Sequence, residues 1–162
     1  MSTTNFLSVL NVPRPLTYWA GQGGVYVGIK ATPKGDLFHL IAAIGKHILK
    51  PQAWGPNKIK GASSYFDGFA NTNSMAKGGS GLAKQVRALD IDGHKDWFIP
   101  SQADGNLLTA NAAHLLGQDW YWLSTKYTGP LAWVQDMGQR NQVVSETSEA
   151  CRVIPVRAIR IA

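Results

Sequence analysis

The sequence predicts an α+β domain, on three observations. The charged fraction is only 16% beside an ordinary apolar share of 44%, which excludes coiled coils, long helices and intrinsic disorder. Gly 17 and Pro 8 punctuate the 162 residues, as a turn-rich chain of short strands requires. Helical spacing of apolar residues is confined to the middle of the chain, so helices are segregated from strands. A chain of this length buries about two-thirds of its unfolded surface and can hold a core without staples.

The elements follow in order. Residues 1–17 read as an extended arm: Ser2-Thr3-Thr4-Asn5 is polar, Phe6, Leu7, Val9 and Leu10 are apolar, and Pro13-Arg14-Pro15 favours an open backbone. Residues 18–162 form the domain. Val25-Tyr26-Val27-Gly28-Ile29 is a strand of β-formers, Pro33-Lys34-Gly35-Asp36 is a turn, and residues 37–44 return to complete a hairpin. Residues 45–81 are loop-rich, punctuated by Pro51, Gly55 and Pro56; a long excursion of this kind in a compact domain is usually functional or disordered. Leu82, Ala83, Val86 and Leu89 recur at helical spacing and predict a first short helix. Ser101 with Asp104 forms a capping box that opens a second helix, running to about residue 116 with Gly117 as its stop. Gly105 inside that helix costs about 1 kcal/mol of propensity. Strands then recur at 120–124, 131–136, 142–147 and 152–161, as an antiparallel meander.

Charge is unevenly placed. Residues 1–81 hold eight Lys and Arg against Asp36 and Asp67, whereas residues 82–162 hold eight of each sign, so the whole +6 excess lies in the first half. The lysines stand singly, without interleaved Arg and aromatics, which reads as a solvated surface; nucleic acid is not an expected partner. No segment approaches the ~18 apolar residues of a membrane span, so no membrane insertion is expected. The N-terminus lacks the basic start and apolar run of a signal peptide. One cysteine, Cys151, leaves neither a disulfide framework nor a multi-cysteine zinc site.

Nothing in the sequence gathers into a catalytic, cofactor or metal site. Ser124 lacks the Gly-x-Ser-x-Gly elbow, and the only glutamates, Glu146 and Glu149, have no apolar context to raise a pKa. His39, His47, His94 and His114 are scattered. Gly21-Gln22-Gly23-Gly24 precedes a strand, where a phosphate loop would follow one. Cys151 beside Arg152 has no neighbouring histidine in sequence and reads as structural. The aromatics are more informative. In Trp120-Tyr121-Trp122, strand alternation puts the indoles on one face and the tyrosine on the other. One face can fill the core while the other offers a stacking platform for a sugar ring or base, with core packing the default.

Asp96-Trp97-Phe98-Ile99-Pro100-Ser101, Tyr121-Trp122-Leu123-Ser124-Thr125, Ala132-Trp133 and Val156-Arg157-Ala158-Ile159-Arg160 follow one another in fixed order. They resemble the pattern Asp-Trp-Arg-Leu-Pro-Thr, Tyr-Trp-Ser-Ser-Thr, Ala-Trp and Val-Arg-x-Val-Arg. That pattern belongs to the globular C-terminal domain of bacterial collagen-like adhesins and of many phage and bacterial proteins. Upstream, Gly21–Ile29, His39-Leu40-Ile41 and Asp67-Gly68-Phe69-Ala70-Asn71-Thr72 are similar to phage-encoded members, so the resemblance covers about residues 18–161. It implies a C-type-lectin-like fold of antiparallel sheets with two short helices and long loops. It also implies that Trp97, Pro100, Trp122, Trp133 and Arg157 are structural signature residues, with the three tryptophans largely buried. The strand at 25–29 is expected beside the closing strand at 153–161. This chain departs from the pattern at Leu123, at Met137 and at Gly105-Asn106, where Glu-Leu usually opens the helix; the departures bear on ligand specificity more than on fold.

The function so implied is that of a non-catalytic bacteriophage virion protein, a head-decoration or tail- or fibre-tip subunit, with a host-surface glycan as its ligand. The alternatives are a bacterial adhesin-like carbohydrate-binding domain, which would need an export signal, and a formylglycine-generating-type enzyme, whose copper needs a cysteine pair. A chain starting at its own Met favours an attached subunit, made in the host bacterial cytoplasm and carried in the virion. Expected partners are other virion subunits and further copies of the chain, held partly by Phe6, Leu7, Val9 and Leu10. Ligand contacts are expected from the long loops: Tyr65, Phe66, Asn71, Asn73 and Lys77, with Tyr127 from a turn. These supply flat rings beside amides and an ammonium, although Asp67–Thr72 also reads as a scaffold loop whose rings pack inward.

Overall fold

The structure is a computed structural model and describes residues 11–161. The chain enters along strand β1 (Tyr18–Trp19), then makes a hairpin of β2 (Gly24–Ala31) and β3 (Leu37–Ala42). A bulge between Tyr26 and Gly28 bends β2 towards the helix packed on it. Gly28 sits there at φ 141°, and a Cβ would lie 2.9 Å from the Asn111 amide nitrogen.

The stretch expected to be loop contains strand β4 (Leu49–Gln52) and a helix, α1 (Gly68–Lys77). Asp67 caps α1 by accepting from the Ala70 N–H at 2.9 Å. Helix α2 (Gly81–Arg87) follows, capped by Ser80, and α3 (Gln102–Ala112) opens on the expected Ser101–Asp104 capping box. Three α-helices therefore stand where two were expected. Helix α1 escapes sequence reading because, of its four buried positions, Asn71 and Thr72 are polar and Gly68 has no side chain, which leaves Met75 as the one apolar side chain among them.

Strands β5 (Trp120–Lys126), β6 (Leu131–Asp136) and β7 (Asn141–Glu146) form the expected meander. The closing segment is two strands, β8 (Cys151–Val153) and β9 (Val156–Arg160), in different sheets. Pro155 lies between them and has no N–H for a ladder. The sheets run β1-β2-β3-β9 and β4-β8-β5-β6-β7. The closing strand thus shares a sheet with the 25–29 strand but pairs with β3, from Phe38↔Arg160 to Ala42↔Val156. The place beside β2 is already taken: Leu16 N–H donates to Tyr26 O at 2.7 Å, and Tyr26 N–H to Thr17 O at 3.0 Å.

One core cluster gathers Trp19, Trp54, Trp97 and Trp122 between the sheets; a second packs Val27, Leu40, Phe98 and Val156 with Leu108 of α3. The fully buried indoles each donate to a carbonyl: Trp54 to Leu123, Trp97 to His94 and Trp122 to Gln52. Arg157, also buried, binds Asp96 through two nitrogens at 2.8 and 3.2 Å and Gln22 Oε1 at 2.7 Å. Pro100 is buried and its carbonyl accepts from Ser124 N–H at 2.7 Å.

Trp133 departs from expectation. Its neighbours Ala132 and Val134 point into the core, so strand alternation turns the indole outward. There it is half-buried, edge-on to Tyr127 with centroids 5.5 Å apart. The faces of β5 do not divide as expected either: Trp120, at the start of the strand, is 46% exposed, whereas Trp122 on the same face is not. Tyr121 and Trp122 are both buried, because α3 covers one face of the strand and the tryptophan cluster the other.

Candidate functional site

The loop before α1 is held from below by buried polar groups. Asn71 is fully buried; its Nδ2 donates to Ser64 O at 2.7 Å and Ser124 Oγ at 3.3 Å, and its Oδ1 accepts from Ser64 N–H. The sequence suggested Asn71 as a ligand contact; the structure places it beneath the loop, with these bonds holding Ser64. Thr125 Oγ1 donates a second bond to the Ser64 carbonyl. Lys30 Nζ lies 2.6 Å from Asp104 Oδ1 and donates to Phe66 O at 3.1 Å. The pair is almost dry, at 9% and 0% exposure. That carboxylate oxygen has the ammonium as its one polar partner among the described residues.

A loop pinned this way holds its two rings edge to face while each meets different neighbours. Tyr65 is 41% exposed and its hydroxyl accepts from Asn106 Nδ2 at 2.6 Å. Asn106 continues into a run of primary amides: Gln142 Nε2 donates to Asn106 Oδ1 at 3.1 Å and to Gln102 O at 2.8 Å, and Gln102 Nε2 donates to Gln142 Oε1. Gly105 explains how α3 reaches these partners. A Cβ there would lie 2.8 Å from Leu123 Cδ2 and 3.0 Å from Gln135 Oε1, so glycine is needed for the close approach.

Phe66 lines a cleft of about 450 Å³ shared with Lys34, Phe38, Phe69, Phe98 and Ala158. Phe69 forms part of its rim beneath the Arg87 guanidinium, 4.5 Å from the ring centroid. The six expected contacts therefore divide. Tyr65 and Phe66 share the loop with their rings 4.8 Å apart, Asn71 lies beneath it, and Asn73 and Lys77 sit on the exposed side of α1. Tyr127 lies in the β5–β6 turn and meets Trp133 edge-on. Sequence reasoning missed Asn106 as the partner of Tyr65, and Gln102 and Gln142 as the amides joined to Asn106. The signal available was the Gly105-Asn106 departure from the family pattern.

Burial sets the protonation of the remaining candidates. It pushes the Cys151 thiol up to about 11, with Glu149 adding to the effect. It also holds His39 below the ordinary histidine value; that ring shares a 3.0 Å hydrogen bond with the Tyr26 hydroxyl. At Asp96, partial burial alone would raise the carboxyl, but the hydrogen bond and charge of Arg157 outweigh it and hold the group low. Among the described residues, no three of His, Cys, Asp and Glu gather as metal ligands. Comparison with models of known protein families and with curated proteins finds no match to this chain.

Proposed function

We propose that this chain is a non-catalytic bacteriophage virion subunit, decorating the head or forming part of a tail or fibre tip, that presents a C-type-lectin-like module to a host-surface glycan. The observation that carries the reading is the amide surface of Tyr65, Asn106, Gln102 and Gln142 on a rigid frame. Sugar hydroxyls donate and accept, as primary amides do, and an exposed phenol ring stacks on the C–H face of a pyranose. Rigid support matters because ordering a loop on binding costs affinity; here Asn71 and Lys30 hold the loop beforehand.

The ordered signature supports the module class. Trp97, Pro100, Trp122 and Arg157 are interior and carry architecture, which leaves the surface to carry recognition. A non-catalytic role is supported by what the interior polar groups do. Lys30 is paired with Asp104, Arg157 with Asp96, and Ser124 is bonded to Pro100 and Asn71. A thiol near 11 is a weak nucleophile at neutral pH.

Two measurements test the reading. Antibody labelling of particles purified from infected cells should detect the chain on the virion, and its absence there would remove the virion assignment. On a glycan array, wild type should bind a defined oligosaccharide class and Tyr65→Ala with Gln142→Ala should lose at least tenfold. Undiminished binding by that variant would place the ligand elsewhere.

A further inference from the structure

Among the described residues, no strand pairs with the outer edge of β9, which runs beside the cleft that holds Phe66. Ala43 N–H donates to Pro155 O and Ile161 N–H to Leu37 O, so residues 155, 157, 159 and 161 turn their backbone groups towards β3. Val156, Ala158 and Arg160 turn theirs outward. Phe98 takes Val156 in both directions, at 2.8 and 3.0 Å. Among the described residues, no backbone group meets the outward N–H and C=O of Ala158 or Arg160.

That edge carries apolar side chains on both faces, beside the Arg160–Asp36 ion pair and with Lys34 and Asp67 also lining the cleft. On the side of Ala158 lies the 450 Å³ cleft with Phe38, Phe66, Phe69 and Phe98. On the other, Ile159 lies at the edge with Leu37 on the same face, and the cross-strand row runs from Ile159 through His39 to Ile29, with Ile29 52% and Leu37 41% exposed. A strand added here would bury alternate side chains against each face, which calls for a nearly continuous apolar sequence. Phe6-Leu7-Ser8-Val9-Leu10 has that composition, with no charge, glycine or proline.

We infer that residues 6–10 of a second copy of this chain add as a strand to the outer edge of β9. The choice of a second copy rests on topology. The chain joins the four-stranded sheet at the outer edge of β2, through Leu16 and Thr17, and the open edge of β9 is the opposite side of that sheet. Pro13 and Pro15 have no N–H and cannot carry the arm further along β2 as a paired strand. Donor and acceptor on opposite edges make a head-to-tail contact, which repeats into a ring or an open row. Main-chain hydrogen bonds supply the affinity, and the cleft selects the side chains. This assembly holds whether or not the amide surface binds a glycan.

Light scattering on the full chain tests it, with a donor-blocked variant (Leu7→Asp, Val9→Asp) and an edge-blocked one (Ala158→Pro). Proline is tolerated at an edge position whose N–H points outward. Phe69→Asp serves as a second acceptor variant should Ala158→Pro not fold. Wild type should form oligomers, each variant alone should need at least a hundredfold higher concentration to assemble, and an equimolar mixture should stop at dimers. In hydrogen exchange, the Ala158 and Arg160 amides should be protected in wild type and lose that protection in the donor-blocked variant. Monomeric wild type, oligomers in either variant, or folded variants whose mixture stays monomeric would each overturn the proposal.

Discussion

Two ion pairs tie distant parts of this chain together, and solvent reaches them differently. Lys30 and Asp104 are both withdrawn from water, whereas Arg157 is buried but its partner Asp96 remains 46% exposed. The first pair anchors the Tyr65–Phe66 loop through the Phe66 carbonyl; the second fastens β9 to the turn before β2 through Gln22. A dry pair is held by the penalty for breaking it, since either partner alone would be a buried uncompensated charge. A half-wet pair can hand its carboxylate back to water. The lesson is that the loop behind the proposed ligand surface is the more brittle of the two.

The comparison breaks most visibly at Lys30. Lys30→Met should cost about 3–5 kcal/mol in urea unfolding, because Asp104 stays behind unpaired. Lys30→Met with Asp104→Asn should recover much of that loss; no recovery would show that packing, not charge, is at stake. The half-wet pair should prove milder, with Arg157→Ala costing about 1.5–3 kcal/mol for its charged hydrogen bonds. Acid sharpens the contrast. Asp96 is held low in the folded chain, so the unfolded state takes up its proton first. The stability it contributes is full above the ordinary aspartate value near 4 and is lost as pH falls through the folded value. Stability measured from pH 5 to pH 2 should therefore decline less steeply in Arg157→Ala. The smallest effect is expected at His39. Its folded form disfavours the proton, so stability should dip as pH falls below about 6.5, and His39→Gln should flatten that dip.

Legibility in the sequence followed chemistry that is local. The Ser101–Asp104 cap, the β2–β3 hairpin and the β5–β7 meander are set by residues a few positions apart, and all three were readable. Helix α1 was not, because Asn71 and Thr72 occupy its buried face and find their partners at Ser64, Ser124 and Ile99. No hydrophobic period marks a helix whose inner side is polar. Asn71 reads from sequence as a ligand group, and its burial is not legible there, because an amide has the same donors and acceptors inside the core as outside. Tyr65 was readable as an exposed ring, whereas its amide partners come from α3 and β7, which only the fold brings alongside. Phe6, Leu7, Val9 and Leu10 lie outside the described residues.

The break at Pro155 has a consequence for the order of events during synthesis. Two residues separate a strand of one sheet from a strand of the other, so the last part of the chain completes both at once. Phe38 must find Arg160 across nearly the whole polypeptide, a long loop closure that slows folding. At ribosomal rates of about 5–20 residues per second, the finished hairpin waits on the order of ten seconds for β9, the fourth strand of its sheet. Throughout that wait Phe38 and Leu40 have no β9 beside them. A nascent chain stalled before Val156 should therefore bind a chaperone, and one released after Arg160 should not.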